Sequence, residues 1–300
     1  MLGQNLLATL WNAVIRLAAQ CHLRSVRGDD FADRNELCQV KIISKESPKY
    51  NKAALEAEIA VLKSIDHANC MRLYGVYDEP HRTRSQQCIL ALCDGHSHAN
   101  RSRTHSMVLE LMGGCNLHER VMNQGRLLSE NIGCKIATDI MQALRYLHSM
   151  QIVHRDIKPA NLMFASEDPK SSRYNTVVVC DLGLAKQLRD GQRLQSFTGT
   201  PGYMAPEILR RDYGREVDIW AVGVTFYTLM CGNAPFRVSR DTPAEQHLAL
   251  LQQPVELHGR VWEHVSEHCR DFIGSCLAIE AHIRLSAAAG VCVSLSLSLS

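Results

Sequence analysis

The sequence predicts an α+β chain in two unequal parts, a smaller strand-rich part with one helix followed by a larger, mainly helical part. Three observations predict it. Short apolar runs of strand character, at 37–43, 71–77 and 106–111, all precede residue 112. After Gly113-Gly114 the apolar residues recur with a helical period instead. The chain has 300 residues, 46% hydrophobic and 21% charged, the composition of a soluble globular protein large enough for two lobes.

Along the chain, residues 1–36 come first, with Leu2, Leu6, Leu10, Val14 and Leu17 at steps of three or four, which predicts an amphipathic helix. The first 28 residues carry Arg16, Arg24 and Arg27 but no acid, so an organelle-targeting peptide is an alternative. The smaller part, 37–112, opens on the strand Leu37–Ile43. Ser47-Pro48 then leads into a helix over 51–65 whose buried face is Leu55, Ile59, Leu62 and Ile65. Residues 80–105, polar and rich in Arg and His, are too long for a hairpin connection and read as an insertion between two strands. Cys88, Cys93, His96, His98 and His105 in and beside it are of zinc-ligating type, although their spacing fits no familiar finger.

The larger part, 113–290, contains one long helical face, Ile132, Ile136, Ile140, Leu144 and Leu147. Residues 216–231 are apolar nearly all round, so that helix must be buried. Residues 291–300 include the alternation Ser294–Ser300, which has strand period and reads as a loose tail in place of a last helix.

Charge and cysteine content exclude several classes. Thirty-three Lys+Arg against 31 Asp+Glu give a formal charge of +2, too small to support nucleic-acid binding by charge alone. No run of 18 apolar residues occurs, so no membrane span is predicted. Twelve cysteines without a C-x-x-C pair suggest free thiols in a reducing compartment. The location is read as cytoplasmic, with a mitochondrial address as the alternative.

Chemistry concentrates in three strings: His154-Arg155-Asp156-Ile157-Lys158-Pro159-Ala160-Asn161, then Asp181-Leu182-Gly183, then Ala205-Pro206-Glu207. At roughly 5% per residue, the fixed positions of the first string alone match by chance at about 10⁻⁸ per starting point. From about Leu37 to Leu285 the chain resembles the eukaryotic protein kinases, whose H-R-D, D-F-G and A-P-E strings occur in this order. Its wording, including Tyr227-Thr228-Leu229-Met230-Cys231-Gly232, is most similar to the calcium/calmodulin-dependent group.

The resemblance implies a two-lobed protein kinase fold, a small antiparallel-sheet lobe and a larger helical one. It also implies a protein serine/threonine kinase that transfers the γ-phosphate of ATP, with Mg2+, to Ser/Thr hydroxyls of protein substrates. Asp156 would accept the hydroxyl proton and Lys158 would steady the transferred phosphate. Asn161 and Asp181 are hard oxygen ligands of the kind magnesium takes. Lys41, at the end of Cys38-Gln39-Val40-Lys41, would hold the α- and β-phosphates with Glu58 as its ion-pair partner. Glu110, Leu111 and Met112 would be the adenine-binding hinge, Asn116 stands at the ribose position and Met163 would lie beneath the ring.

Asp218 would anchor the catalytic-loop backbone, Arg284 would pair with Glu207, and Thr200 would face Asp156 and Lys158. Ser196 aligns with the activating phosphosite, Thr198 being second choice. A phosphate placed there by an upstream kinase would add about −1.5 to −2 charge opposite Arg155.

The sequence also departs from the pattern. Gly28 is the only glycine between residues 4 and 74, so the G-x-G-x-x-G phosphate loop has only a degenerate candidate at Gly3–Leu10. Gln39 replaces the usual small residue against adenine, and Leu182 stands for phenylalanine. Asn116, Ala160 and Thr228 occupy places where acids receive substrate arginines, so a strong basic preference is not expected. No calmodulin-binding helix follows Arg284-Leu285, so calcium control is not part of the expectation. These departures keep open an alternative, a pseudokinase-like scaffold or binding module. A Walker-type ATPase is disfavoured because no G-x-x-x-x-G-K-[ST] string occurs.

Overall fold

The computed structural model describes residues 13–15, 38–48, 50–78, 104–124 and 129–297. The candidate glycine loop Gly3–Leu10, most of the insertion, and Cys88, Cys93, His96 and His98 lie outside the described residues. The chain divides into two compact units, Met1–Ile59 with Arg72–Met112, and Ala60–Met71 with Gly113–Ser300.

The first unit is built on one antiparallel sheet. Its strands are β1 (Ala13–Ile15), β2 (Cys38–Ser44), β3 (Leu73–Asp78) and β4 (Thr104–Glu110), in the order β1-β2-β4-β3. The period of two in β2 puts Cys38, Val40 and Ile42 on one face, where they pack with Val108, Tyr74 and Tyr77. Gln39 and Lys41 consequently share the other face, opposite Leu109 and Met107. Residues 13–15 form a strand paired with Cys38–Val40, so the helical repeat expected through Val14 does not hold there. Pairing to β2 supplies backbone partners that Ala13–Ile15 would otherwise find only within a helix.

Helix α1 (Lys52–Ser64) starts at Asn51, whose Oδ1 accepts the Ala54 amide at 3.1 Å. Its buried residues include Leu55, Glu58 and Leu62, while Ile59 is only half-buried. A glutamate therefore occupies the face expected for Ile59, and its ion pair with Lys41 is what makes that burial tolerable. His105 bonds the Tyr50 hydroxyl at 2.9 Å and stacks on its ring. Among the described residues no group of His, Cys, Asp and Glu is arranged to hold a metal.

In the second unit, α2 (Leu117–Gln124) precedes the long α3 (Glu130–Ser149). Two short antiparallel pairs follow, β5 (Ile152–Val153) with β8 (Lys186–Gln187) and β6 (Leu162–Phe164) with β7 (Val177–Val179). Then come α4 (Pro206–Leu209), α5 (Glu216–Cys231), α6 (Ala244–Leu251), α7 (Glu267–Cys276) and α8 (Ala287–Leu297). The unit's core is Ile136, Ile140, Leu144 and Leu147 of α3 with the apolar α5, where Trp220 and Phe226 are almost completely buried.

Helix α8 overturns the loose-tail expectation. The alternation from Ser294 is helical through Leu297 because the segment begins on three alanines and packs on α3. Gly290 allows close approach there, since a Cβ would lie 2.8 Å from the Met141 sulfur. Ser294 is fully buried, and its hydroxyl meets Val291 O and Thr138 Oγ1, both at 3.1 Å. Among the described residues no helix is long and apolar enough to cross a membrane.

Candidate active site

The segment between β5 and β6 carries the densest polar cluster. Asp218, at the start of α5, has no exposed side-chain surface and accepts three bonds. His148 Nε2 donates at 2.8 Å, the His154 amide at 3.0 Å and the Arg155 amide at 2.8 Å. Arg155 has a positive φ of 70°, a conformation that costs a non-glycine residue of order 1–3 kcal/mol and persists only where surroundings enforce it. The two amides clamped by one carboxylate provide that enforcement. Burial raises the Asp218 pKa, but the His148 hydrogen bond, the charges of His148 and His154 and the amide bond outweigh it, leaving the carboxyl below its ordinary value.

The clamp presents Asp156, which is buried with both carboxylate oxygens hydrogen-bonded. Thr200 Oγ1 donates to Oδ1 at 2.7 Å, while Lys158 Nζ at 2.7 Å and Asn161 Nδ2 at 3.0 Å donate to Oδ2. Lys158 also donates to Thr200 Oγ1 at 2.8 Å, which closes a triangle. Thr200 reaches the carboxylate because Gly199 precedes it. Gly199 has φ 124°, and a Cβ there would stand 2.9 Å from the Arg155 carbonyl oxygen. Burial, with the charge of Asp156 added, pushes the neighbouring Tyr203 phenol up.

Asn161 spends its amide nitrogen on Asp156, its second bond going to the Asp156 carbonyl at 2.8 Å, so its carbonyl oxygen is left as a ligand atom. Asp181 is tied to the same loop through its neighbour. The Cys180 amide donates to Asn161 O at 2.9 Å, and His154 Nε2 bonds Cys180 O at 3.1 Å. Asp181 is exposed and left-handed (φ 59°), and its Oδ1 caps Gly183 N at 3.4 Å. An exposed carboxylate and a free amide oxygen are hard donors that fit magnesium rather than a soft metal.

The other predicted residues fall in separate places. In the first unit, Lys41 Nζ meets Glu58 Oε1 at 2.7 Å, with side chains only 15% and 10% exposed. Glu110 ends β4 with its amide on Arg72 O at 2.9 Å, and Met112 is buried. In the second unit, Asn116 and Met163 are joined by a backbone bridge. The Asn116 side chain, expected near a ribose, is the N-cap of α2, accepting the Glu119 amide at 2.9 Å.

Arg155 Nη1 donates to Ser196 Oγ at 2.9 Å, and the hydroxyls of Ser196 and Tyr213 are also 2.9 Å apart. Thr198 is half-buried two residues on. Arg284 grips both Glu207 oxygens, at 2.5 and 3.1 Å, and fills its remaining donors with the carbonyls of Glu216, Ala278 and Ile279.

The protein kinase domain matches residues 29–294. The chain belongs to the protein kinase family. It is similar to calcium/calmodulin-dependent protein kinase type 1 of Macrobrachium nipponense, with 30% identity over 84% of this chain and 65% of that protein. It is 35% identical to human calcium/calmodulin-dependent protein kinase type 1B, over 79% of this chain and 61% of that one. Myosin light chain kinase A of Dictyostelium discoideum is 31% identical over 83% of this chain and 75% of its own. The matched stretch thus spans less than two thirds of the length of the two calcium/calmodulin-dependent relatives.

Several residues that support this cluster escaped the sequence reading. Asp139, buried in α3, takes Lys135 at 2.5 Å and the Val177 amide at 2.9 Å, which fixes the start of β7 and hence the approach to Asp181. Asn69 brackets the same strand, donating to Val177 O at 2.9 Å while its carbonyl accepts Val179 N at 2.8 Å. The signal for Asp139 was present, as an acid among Ile136, Ile140 and Met141 on a helix face can be buried only with a partner. Asn69 had no comparable signal.

Proposed function

We propose that the chain is a protein serine/threonine kinase that transfers the γ-phosphate of ATP to Ser/Thr hydroxyls of protein substrates. The observation that carries this reading is the closed cluster of Asp156, Lys158, Asn161 and Thr200, which leaves one carboxylate oxygen, Oδ1, with a single donor. That oxygen retains lone-pair capacity for the proton of a substrate hydroxyl. Lys158, already between Asp156 and Thr200, supplies the cation that offsets charge on the phosphoryl group in flight.

Kinases of this family use ATP with Mg2+, and Asn161 and Asp181 are the residues that would hold the metal. When bound, the metal offsets the charge spread over the phosphate oxygens. Lys41, held by its ion pair with Glu58, takes the α- and β-phosphates, and the backbone of Glu110–Met112 takes the adenine, with Met163 below the ring. Arg155, Glu207, Asp218 and Arg284 act by positioning. The segment boundaries follow the same reading, 37–112 as the small lobe with an insertion at 80–105 and 113–290 as the large one.

Ser196 is the regulatory phosphoacceptor, with Thr198 second, supported by the guanidinium of Arg155 at 2.9 Å. An upstream kinase would act there. Nine free cysteines among the described residues support a reducing compartment, which we take to be the cytoplasm.

The test is phosphotransfer from Mg-ATP to a generic acceptor protein by the wild type, Lys41→Met and Asp181→Asn. Activity in the wild type alone is expected. Equal activity in all three, or none in the wild type with every Ser196 state tried, would defeat the reading.

A further inference from the structure

The second unit holds a cavity that the phosphotransfer reading does not use. Its volume is about 460 Å³, the size range of small-molecule sites. It is formed by the end of α3, the start of α5 and the segment leading into α8. Besides Arg284, four basic side chains line it: Arg145, His148, Arg215 and His282. The donors of Arg284 are all committed to Glu207 and to carbonyls.

The other basic groups have hydrogen-bonding capacity to spare. Arg145 and Arg215 have no carboxylate partner among the described residues. His148 is only 6% exposed, and its Nε2 is spent on Asp218, but its Nδ1 has no hydrogen-bond partner among the described residues. The first residues of α8, Ala287 and Ala288, also line the cavity, and no acid stands in that helix's first turn. The Ala289 and Gly290 amides are taken by Ser286, which leaves the helix N-terminus to add positive potential to the same space.

One acid lines the cavity, Glu216. It is turned to other work, since Oε1 lies 3.5 Å from Arg193, and Oε2 is buried without a hydrogen-bond partner. Like charges gathered in one concave space repel each other, and an anion is the ligand that relieves them. The space is larger than an inorganic anion needs, and Ile219, Leu285 and Ala288 supply an apolar bed beside the cations.

We propose that this cavity binds a small organic phosphate, with the phosphate held by Arg145, Arg215 and His148 and an apolar body against Ile219 and Leu285. Arginine forks and helix N-termini both suit phosphate oxygens. Binding is read directly, so the proposal stands or falls independently of phosphotransfer activity.

The experiment titrates the full chain with phenyl phosphate, inorganic phosphate and benzyl alcohol at fixed ionic strength, by calorimetry and by the shift in Tm. It is repeated on the double variant Arg145→Gln/Arg215→Gln. Both side chains are exposed, so the variant is expected to fold with an unchanged Tm in the absence of ligand. Saturable binding of phenyl phosphate is expected, at least about tenfold tighter than inorganic phosphate and weakened at least about tenfold in the double variant. Equal affinity of wild type and variant, equal affinity for benzyl alcohol, or no saturation would overturn it. So would a variant that unfolds, if Arg145→Lys/Arg215→Lys folds and binds no phenyl phosphate. Binding of a phosphoserine peptide tighter than phenyl phosphate would overturn the small-molecule assignment in favour of a protein partner.

Discussion

Removing the Asp218 carboxylate tests the central positioning claim most directly. Asp218→Ala strips the acceptor from His148 Nε2, His154 N and Arg155 N at once, in a place with no exposed side-chain surface. Three donors left unpaired at about 1–2 kcal/mol each give a loss of about 3–6 kcal/mol, in line with the cost of breaking a buried ion pair. That is a large share of the roughly 5–15 kcal/mol that holds a typical native protein together.

Asp218→Asn should cost less, about 2–3 kcal/mol, since one oxygen still accepts an amide while the new NH2 faces the remaining donors. Either change releases Arg155 from φ 70°, so phosphotransfer should fall more than the folded fraction does. Urea unfolding at constant m-value measures the stability, and kcat measured well below the unfolding transition reports the loop.

The lowered folded pKa adds a pH signature. Asp218 contributes fully above its unfolded value of about 3.9, and that contribution is lost as pH falls through the folded value, a dependence absent from Asp218→Asn. An Asp218→Ala protein within about 1 kcal/mol of wild type, with kcat unchanged, would refute the clamp.

Further outcomes follow from the same contacts and burial. Thr200→Ala removes the hydroxyl that joins Asp156 to Lys158 yet leaves their 2.7 Å pair, so stability should drop by about 1 kcal/mol. The kcat should fall about tenfold, equivalent to about 1.4 kcal/mol, with the KM for ATP steady; a rise in that KM alone would contradict the assignment. Burial pushes the Cys70 and Cys269 thiols up to about 12, and Cys276 is raised as well, whereas Cys292 is exposed. Native alkylation at pH 8 should mark Cys292 and spare those three, and comparable rates by peptide mapping would contradict their burial. Because their folded values lie above the unfolded one of about 8.5, the stability they contribute is whole below that pH and is lost as pH climbs toward 12.

The candidate site was legible early because its central residues are local. Asp156, Lys158 and Asn161 lie within one short string, so their closeness in the chain is visible in the sequence even though the loop's shape depends on Asp218. Long-range partners were legible only where a resemblance supplied them, as for Arg284 with Glu207 and Asp218 with the loop backbone. The partners of His148 and Asp139 do not show in the sequence, since periodicity marks a buried face without naming what lies across it. Ile59 and Glu58 show the same limit, because the apolar pattern favoured the isoleucine and an ion pair with Lys41 buried the glutamate.

Residue order alone determined the family, the polar string of the candidate site and the division into a strand-rich and a helical part, because short motifs and periodicity are properties of neighbours in the chain. Tertiary structure alone decided that the Ser-Leu alternation is helical and that Asn116 caps a helix. It also gathered Arg145, His148, Arg215 and the start of α8 around one cavity. Local propensity is worth tenths of a kcal/mol per residue, and burial against a partner distant in sequence outweighs it.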